Sequence, residues 1–236
     1  MTFQLLRRLL PVAILLLGLV LFFAFGLERH LSFETLSRNH AELAQWVADN
    51  GALAALAFVA TYATAAAFSL PISAMITALS GFLFGIWLGA FLSMIGATLG
   101  AMALFAVARS AFYDLFHARA GSALQRLEAG FRRDSFSYLV FLRVVPLFPF
   151  WLVNIVAALL GMKFGTFVLA TVIGIIPGSV VFASIGAGFG TLFESGQVPD
   201  LGVVFHAAIL LPLLGLGVLS LVPILYRRLV RGRRSG

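Results

Sequence analysis

Between Gly51 and Ala108 the chain carries no charged residue at all. As a single helix rising 1.5 Å per residue this stretch would run to roughly 87 Å, far beyond the ~30 Å hydrocarbon core of a bilayer. It must therefore break and turn back inside an apolar medium. Pro71 supplies the break, because proline lacks a backbone donor and disfavours helix at the preceding Leu70. Composition extends this reading to the whole chain. With 61% hydrophobic residues, 11% charged residues and a mean hydropathy of +1.06, the polar surface is too small to cover a soluble globule. The fold class expected is an all-α integral membrane protein.

A second apolar segment echoes the first about 80 residues later. Gly81-Phe-Leu-Phe-Gly85 follows Pro71, and Gly161-Met-Lys-Phe-Gly165 follows Pro146 and Pro149. Paired, proline-interrupted and glycine-ended apolar stretches mark half-helices or re-entrant hairpins at an internal repeat interface, where transport sites are built. Only the second copy holds a charge within its apolar run, Arg143 in Phe141-Leu-Arg-Val-Val-Pro-Leu-Phe-Pro-Phe150.

The flanking segments complete a three-part organisation. Residues 1–30 read as an N-terminal transmembrane helix, with the apolar run Leu9–Leu27 behind Arg7 and Arg8. A cleaved signal peptide is the competing reading, since Ala24-Phe-Gly26 resembles a cleavage site, but the apolar stretch exceeds the usual signal core. Residues 31–200 form the core with two re-entrant hairpins. Residues 201–236 hold a final span, Val203–Tyr226, and a basic tail. Within the core, residues 28–50 predict an interfacial helix carrying Trp46 at headgroup depth. Residues 109–134 predict a basic amphipathic helix, and Phe164–Ala187 a span kinked at Pro177-Gly178. The small-residue stripe from Gly89 to Gly100 is expected to pack helices closely. His206 reads as an interfacial polar residue.

Charge distribution selects the topology. The net charge of +7 sits mainly at span ends, a positive-inside pattern that argues against nucleic-acid binding. If the Pro71 and Pro146/Pro149 regions are hairpins that enter and leave on one face, the arginine-rich middle and both termini fall in the cytoplasm. That arrangement gives about four transmembrane helices and two hairpins entering from opposite faces. The expected location is the cell's inner membrane.

Enzymatic constellations are missing. Between Gly51 and Ala108, and between Phe136 and Ala187, there is no Asp, Glu or His, and the chain has no cysteine. That leaves no carboxylate pair, no metal cluster and no base for a serine nucleophile, so neither an enzyme nor a cofactor is expected. Arg143 stands out. It either snorkels to the cytoplasmic surface, bonds the carbonyls freed at the proline breaks, or holds an anionic ligand such as a lipid phosphate, which its planar fork suits.

The Arg143-x-x-Pro146-x-x-Pro149 segment, Asn154, Gly161, Gly81–Gly85 and Pro177-Gly178 together resemble the DedA superfamily, in its VTT-domain or SNARE-associated Golgi protein branch, over roughly residues 50–190. The resemblance implies opposed re-entrant hairpins and the movement of phospholipids or polyprenyl-phosphate lipids between leaflets. It places Arg143, Pro146, Pro149, Asn154, Gly81 and Gly85 at motif positions; the internal echo adds Pro71, Gly161 and Gly165 as candidate substrate-binding residues. Superfamily members implicated in proton coupling carry intramembrane acidic residues that this chain lacks, so an uncoupled scramblase is expected. Its partners would be membrane lipids with anionic headgroups and, as one arrangement, further copies in a homo-oligomer. A membrane scaffold without transport activity and a small anion or solute carrier are the alternatives.

Overall fold

The computed structural model describes residues 40–118, 122–145 and 147–188, with isolated positions in the two terminal segments. The predicted spans Leu9–Leu27 and Val203–Tyr226, the basic tail, His206, residues 28–39 and Pro146 lie outside the described residues. So do the side chains of 40, 41, 114–118, 122–130, 132 and 133. Seven helices follow in order: α1 His40–Asp49, α2 Gly51–Ala67, α3 Ser73–Phe84, α4 Ile86–Ala118, α5 Ser122–Val144, α6 Phe150–Leu159 and α7 Phe164–Ala187. Among the described residues there is no strand.

Helix α1 lies across the entrance to α2, bent from it by 115° at Asn50. Its Glu42, Gln45, Trp46 and Asp49 are exposed while Leu43 and Val47 are partly covered, the pattern of an interfacial helix. Helix α2 then buries Ala54, Phe58, Tyr62, Ala65 and Ala66, at helical spacing, and turns Leu53 and Leu56 outward, as lipid requires.

The chain reverses after α2. Ser69 adopts φ 62°, the Ser69 amide donates to the Ala66 carbonyl at 3.1 Å and the Leu70 amide to the Ala65 carbonyl at 2.9 Å. This is the paired bonding of a Schellman stop, with serine in the place usually given to glycine. Pro71 follows and prevents the helix from resuming at once. Helix α3 runs back beside α2: the Tyr62 hydroxyl meets Thr77 at 3.0 Å, and the Phe58 and Phe84 rings lie 5.6 Å apart. Gly85, at φ 76° and ψ 174°, reverses the chain again. That region of backbone space is open essentially to glycine alone.

Helix α4 now runs parallel to α2, as its glycines show. A Cβ on Gly96 would sit 2.7 Å from Tyr62 Cβ, and one on Gly100 would sit 2.5 Å from Ala66 Cβ. Two helices parallel across an intervening reversed one make α2–α3 a re-entrant hairpin, entering and leaving by one face. Close packing is thus what the small-residue stripe does.

The second half repeats this construction. Helix α5 carries a break at Asp134 (φ −125°, ψ 24°), so its second part forms the first arm of a hairpin. The described residues of the tip, 145 and 147–149, lead into α6, which returns. A second Schellman stop ends α6, with Gly161 at φ 69° and the Met162 amide donating to the Ala157 carbonyl at 3.1 Å. Helix α7 then crosses. The spans α4 and α7 are antiparallel, since Phe105, late in α4, packs 4.3 Å from Phe167 at the start of α7, while Leu92 and Ala97 share a core with Ile175. The two hairpins therefore enter from opposite faces. Each hairpin's second arm also packs on the span of the other half, α3 on α7 and α6 on α4, which locks the halves together.

Two expectations are modified. The polar stretch 109–134 is not one helix: α4 continues through Arg109 to Ala118, and α5 begins afresh at Ser122. The Arg109 charge does not stop α4, because its guanidinium donates to the Met162 carbonyl at 2.8 Å. Helix α7 carries Pro177 in its interior, the place expected for its kink. The five-residue echo is also out of register, for the positive-φ joints are Gly85 and Gly161, the last residue of one copy and the first of the other. Two described helices, Ile86–Tyr113 and Phe164–Ala187, are long and apolar enough to cross a membrane.

Candidate functional site

The two hairpin tips meet. A cavity of about 210 Å³ is lined on one side by Ala66, Ser69, Leu70, Pro71, Ser73 and Ala74, and on the other by Pro149, Phe150 and Trp151. The prolines picked out from the sequence thus come together although Pro71 and Pro149 are far apart in the chain. Both second arms begin at this junction, so the N-terminal ends of α3 and α6, with their partial positive charge, point toward it.

Arg143 lies beside the junction, near the end of the first arm of the second hairpin. Its Cβ packs where a Cβ on Gly174 would stand, 2.5 Å away, so Gly174 is what admits the arginine between α5 and α7. The guanidinium carbon sits 4.2 Å from the centre of the Phe150 ring and 5.8 Å from that of Phe167. Cation–π contact with two rings stabilises the charge in a dry setting. The Nη2 nitrogen donates to Asn154 Oδ1 and to Thr171 Oγ1, the latter at 3.2 Å. Asn154 and Thr171 are both fully buried.

The arginine nevertheless remains under-partnered. Its Nε and Nη1 are buried without a hydrogen-bond partner, and so is Nδ2 of Asn154. All three are donors, and a buried donor left unpaired costs about 1–3 kcal/mol, more when charged. No carboxylate can answer them from the apolar segments, because the sequence places none there. A freed backbone carbonyl is bonded by a different arginine: Arg109 donates to Met162 at the α6–α7 joint. What Arg143 and Asn154 offer is a set of donors that suits an anion with several acceptor oxygens.

The remaining candidates divide by role. Gly85 and Gly161 are the joints between each hairpin and its span. Gly81 belongs to the α3–α7 crossing, where a Cβ would stand 1.9 Å from the Ala183 carbonyl oxygen. Gly165 is exposed in the first turn of α7 with open space around it, away from the junction.

A second buried polar group contains none of the candidate substrate-binding residues. In the first hairpin Tyr62 (4% exposed) meets Thr77 (4%), Thr77 donates to the Ser73 carbonyl at 2.8 Å, and the fully buried Ser93 and Ser80 hydroxyls are 2.8 Å apart. A single tyrosine and scattered hydroxyls in an apolar run give no periodic or charge signal. A larger cavity of about 540 Å³ opens between α1, α2 and α3, its walls almost wholly apolar.

Comparison with known proteins gives a family match and relatives named as transmembrane proteins. The VTT domain matches residues 70–188, which takes in α3 to α7 and both hairpin tips. Transmembrane protein 41 homolog of Dictyostelium discoideum is 29% identical over 191 residues, covering 79% of this chain and 55% of its own length. Transmembrane protein 41B of Homo sapiens is 29% identical over 177 residues, covering 73% of this chain and 58% of its own. The uncharacterized protein YqeD of Bacillus subtilis (strain 168) is 34% identical over 118 residues, covering 49% of this chain and 57% of its own. The chain thus spans a little over half the length of these curated relatives. No solved structure matches it. With opposed hairpins, the arginine-bearing second tip and the domain match all in place, the chain belongs to the VTT-domain family of the DedA superfamily.

Proposed function

We propose that the protein moves phosphate-bearing lipids between membrane leaflets along the junction of its two hairpins, without proton coupling and without chemistry on the lipid. The observation that carries this reading is Arg143, whose Nε and Nη1 lie buried and unpartnered beside that junction. A charge kept in an apolar interior with no acidic partner is costly unless an anion visits it. A phosphate presents several acceptor oxygens to the fork, and the nearby N-termini of α3 and α6 add favourable potential. The absence of intramembrane carboxylates removes the usual proton relay, which favours a passive scramblase.

The location that suits this role is the inner membrane, with the Arg109 and Lys163 end of the spans in the cytoplasm and the Glu42 and Asp49 end outside. Exposed Trp46 and Trp87 gather at the outer end, fitting residues for a headgroup boundary. The test is reconstitution into liposomes holding a headgroup-labelled phosphatidylglycerol, with a membrane-impermeant quencher added outside. Protein-bearing vesicles are expected to lose nearly all label fluorescence, and empty ones only the outer-leaflet share. Equal loss from both would refute the proposal.

A further inference from the structure

The two polar groups occupy equivalent places in the two repeats. Tyr62 packs against Gly96, ten residues after the start of α4, and Arg143 packs against Gly174, ten residues after the start of α7. One turn earlier Val59 faces Gly96, and one turn earlier Val140 faces Gly174. Tyr62 bonds Thr77, the fifth residue of α3, and Arg143 bonds Asn154, the fifth residue of α6. Thr171, the third member around Arg143, stands three residues before Gly174, as the buried Ser93 stands three before Gly96.

We infer that Tyr62 with Thr77 is a second headgroup station, the uncharged twin of the Arg143 station, and that a lipid phosphate passes from one to the other during crossing. Four observations support this. The equivalence holds at four separate positions, so it is a property of the repeat and not of one contact. Both groups are nine-tenths or more buried at Tyr62, Thr77, Asn154 and Thr171, where an apolar residue would cost nothing to keep. The two stations adjoin, because Phe150 lies under the Arg143 guanidinium and also packs against the core that contains Tyr62. Finally, passage needs sites that bind strongly enough to admit a headgroup and weakly enough to release it. A neutral phenol beside a guanidinium supplies that gradient, since hydrogen bonds to neutral groups are roughly half as strong as charge-assisted ones and the Tyr62 hydroxyl must first give up its bond to Thr77 or to the Ser73 carbonyl.

This inference rests on the lipid-transport reading, and its test separates the two. Labelled phosphatidylglycerol exchange is measured in liposomes for the intact chain, Tyr62→Phe, Arg143→Tyr and the double variant Tyr62→Arg/Arg143→Tyr, with thermal unfolding in detergent recorded for each. Tyr62→Phe keeps the ring packing and is expected to slow exchange roughly fivefold; Arg143→Tyr is expected to slow it more than about tenfold. The double variant moves the charge to the twin station and is expected to recover to within about threefold of the intact chain, a rescue that a merely structural role would not give. Exchange at the intact rate in Tyr62→Phe overturns the inference. So does a folded double variant no faster than Arg143→Tyr alone. If the intact chain itself exchanges no lipid, it is the transport reading that falls. Uptake of inorganic phosphate by the same vesicles, dependent on Arg143 and without lipid exchange, would reassign both stations to the free ion.

Discussion

Arg143 is held by what surrounds it and left incomplete by what does not. Two rings, Asn154 and Thr171 fix the guanidinium, and two of its nitrogens wait unpaired. Asn154 therefore acts as more than filler: it is the fully buried acceptor that orients the fork. Replacing it by leucine, of similar size, strips Nη2 of that acceptor, and thermal unfolding in detergent should report a loss of about 1–2 kcal/mol. Unchanged unfolding would mean that Asn154 does not hold the arginine. At this scale the sequence was informative where chemistry was rare. A lone arginine amid phenylalanine and valine is conspicuous in a string of letters, and so is an asparagine eleven positions on. Tyr62 was invisible, because a tyrosine in an apolar helix is ordinarily a packing residue, and a hydroxyl such as Thr77 ordinarily just bonds a helix backbone, as it does with the Ser73 carbonyl. Their significance depends on Gly96 and on a repeat that only three-dimensional proximity reveals.

Among the elements, the reversals were legible and their register was not. Proline at 71 and 149 announced the tips, since proline stops helices wherever it falls. The glycine joints were misaligned by four residues because Gly-x-x-Phe-Gly is a compositional echo, while backbone geometry needs only one glycine per joint. Gly85 and Gly161 carry positive φ, and Gly165 sits in ordinary helix. Three alanine substitutions distinguish these roles. Gly85→Ala and Gly161→Ala should each lower stability by about 1–3 kcal/mol. Gly165→Ala should be neutral or slightly stabilising, because its surroundings are open and alanine favours helix. A calorimetric or fluorescence melt of the three variants checks the order, and a neutral Gly85→Ala would contradict the joint.

At the level of the whole molecule, two hairpins from opposite faces meet at one small cavity, and second arms exchanged between the halves hold them there. Hydropathy and charge parity conveyed this outline, including the inverted sense of the halves, because a bilayer allows few ways to bury an uncharged stretch broken by proline. Which arm packs on which span was not legible; it is set by glycine contacts such as Gly81 on Ala183 and Gly186 on Ala78, which no spacing rule pairs. The resulting packing sets the buried Arg143 beside the cavity where the two hairpin tips meet, through its contact with Phe150. Leaflet exchange of labelled phosphatidylglycerol by Arg143→Gln, set beside the intact chain and Gly165→Ala at equal protein per vesicle, examines that relation directly. Exchange should fall more than about tenfold in Arg143→Gln, the loss of a charge-assisted fork, and stay at the intact rate in Gly165→Ala. A folded Arg143→Gln protein that exchanges lipid as fast as the intact chain would show that headgroups cross elsewhere, or not by way of this arginine.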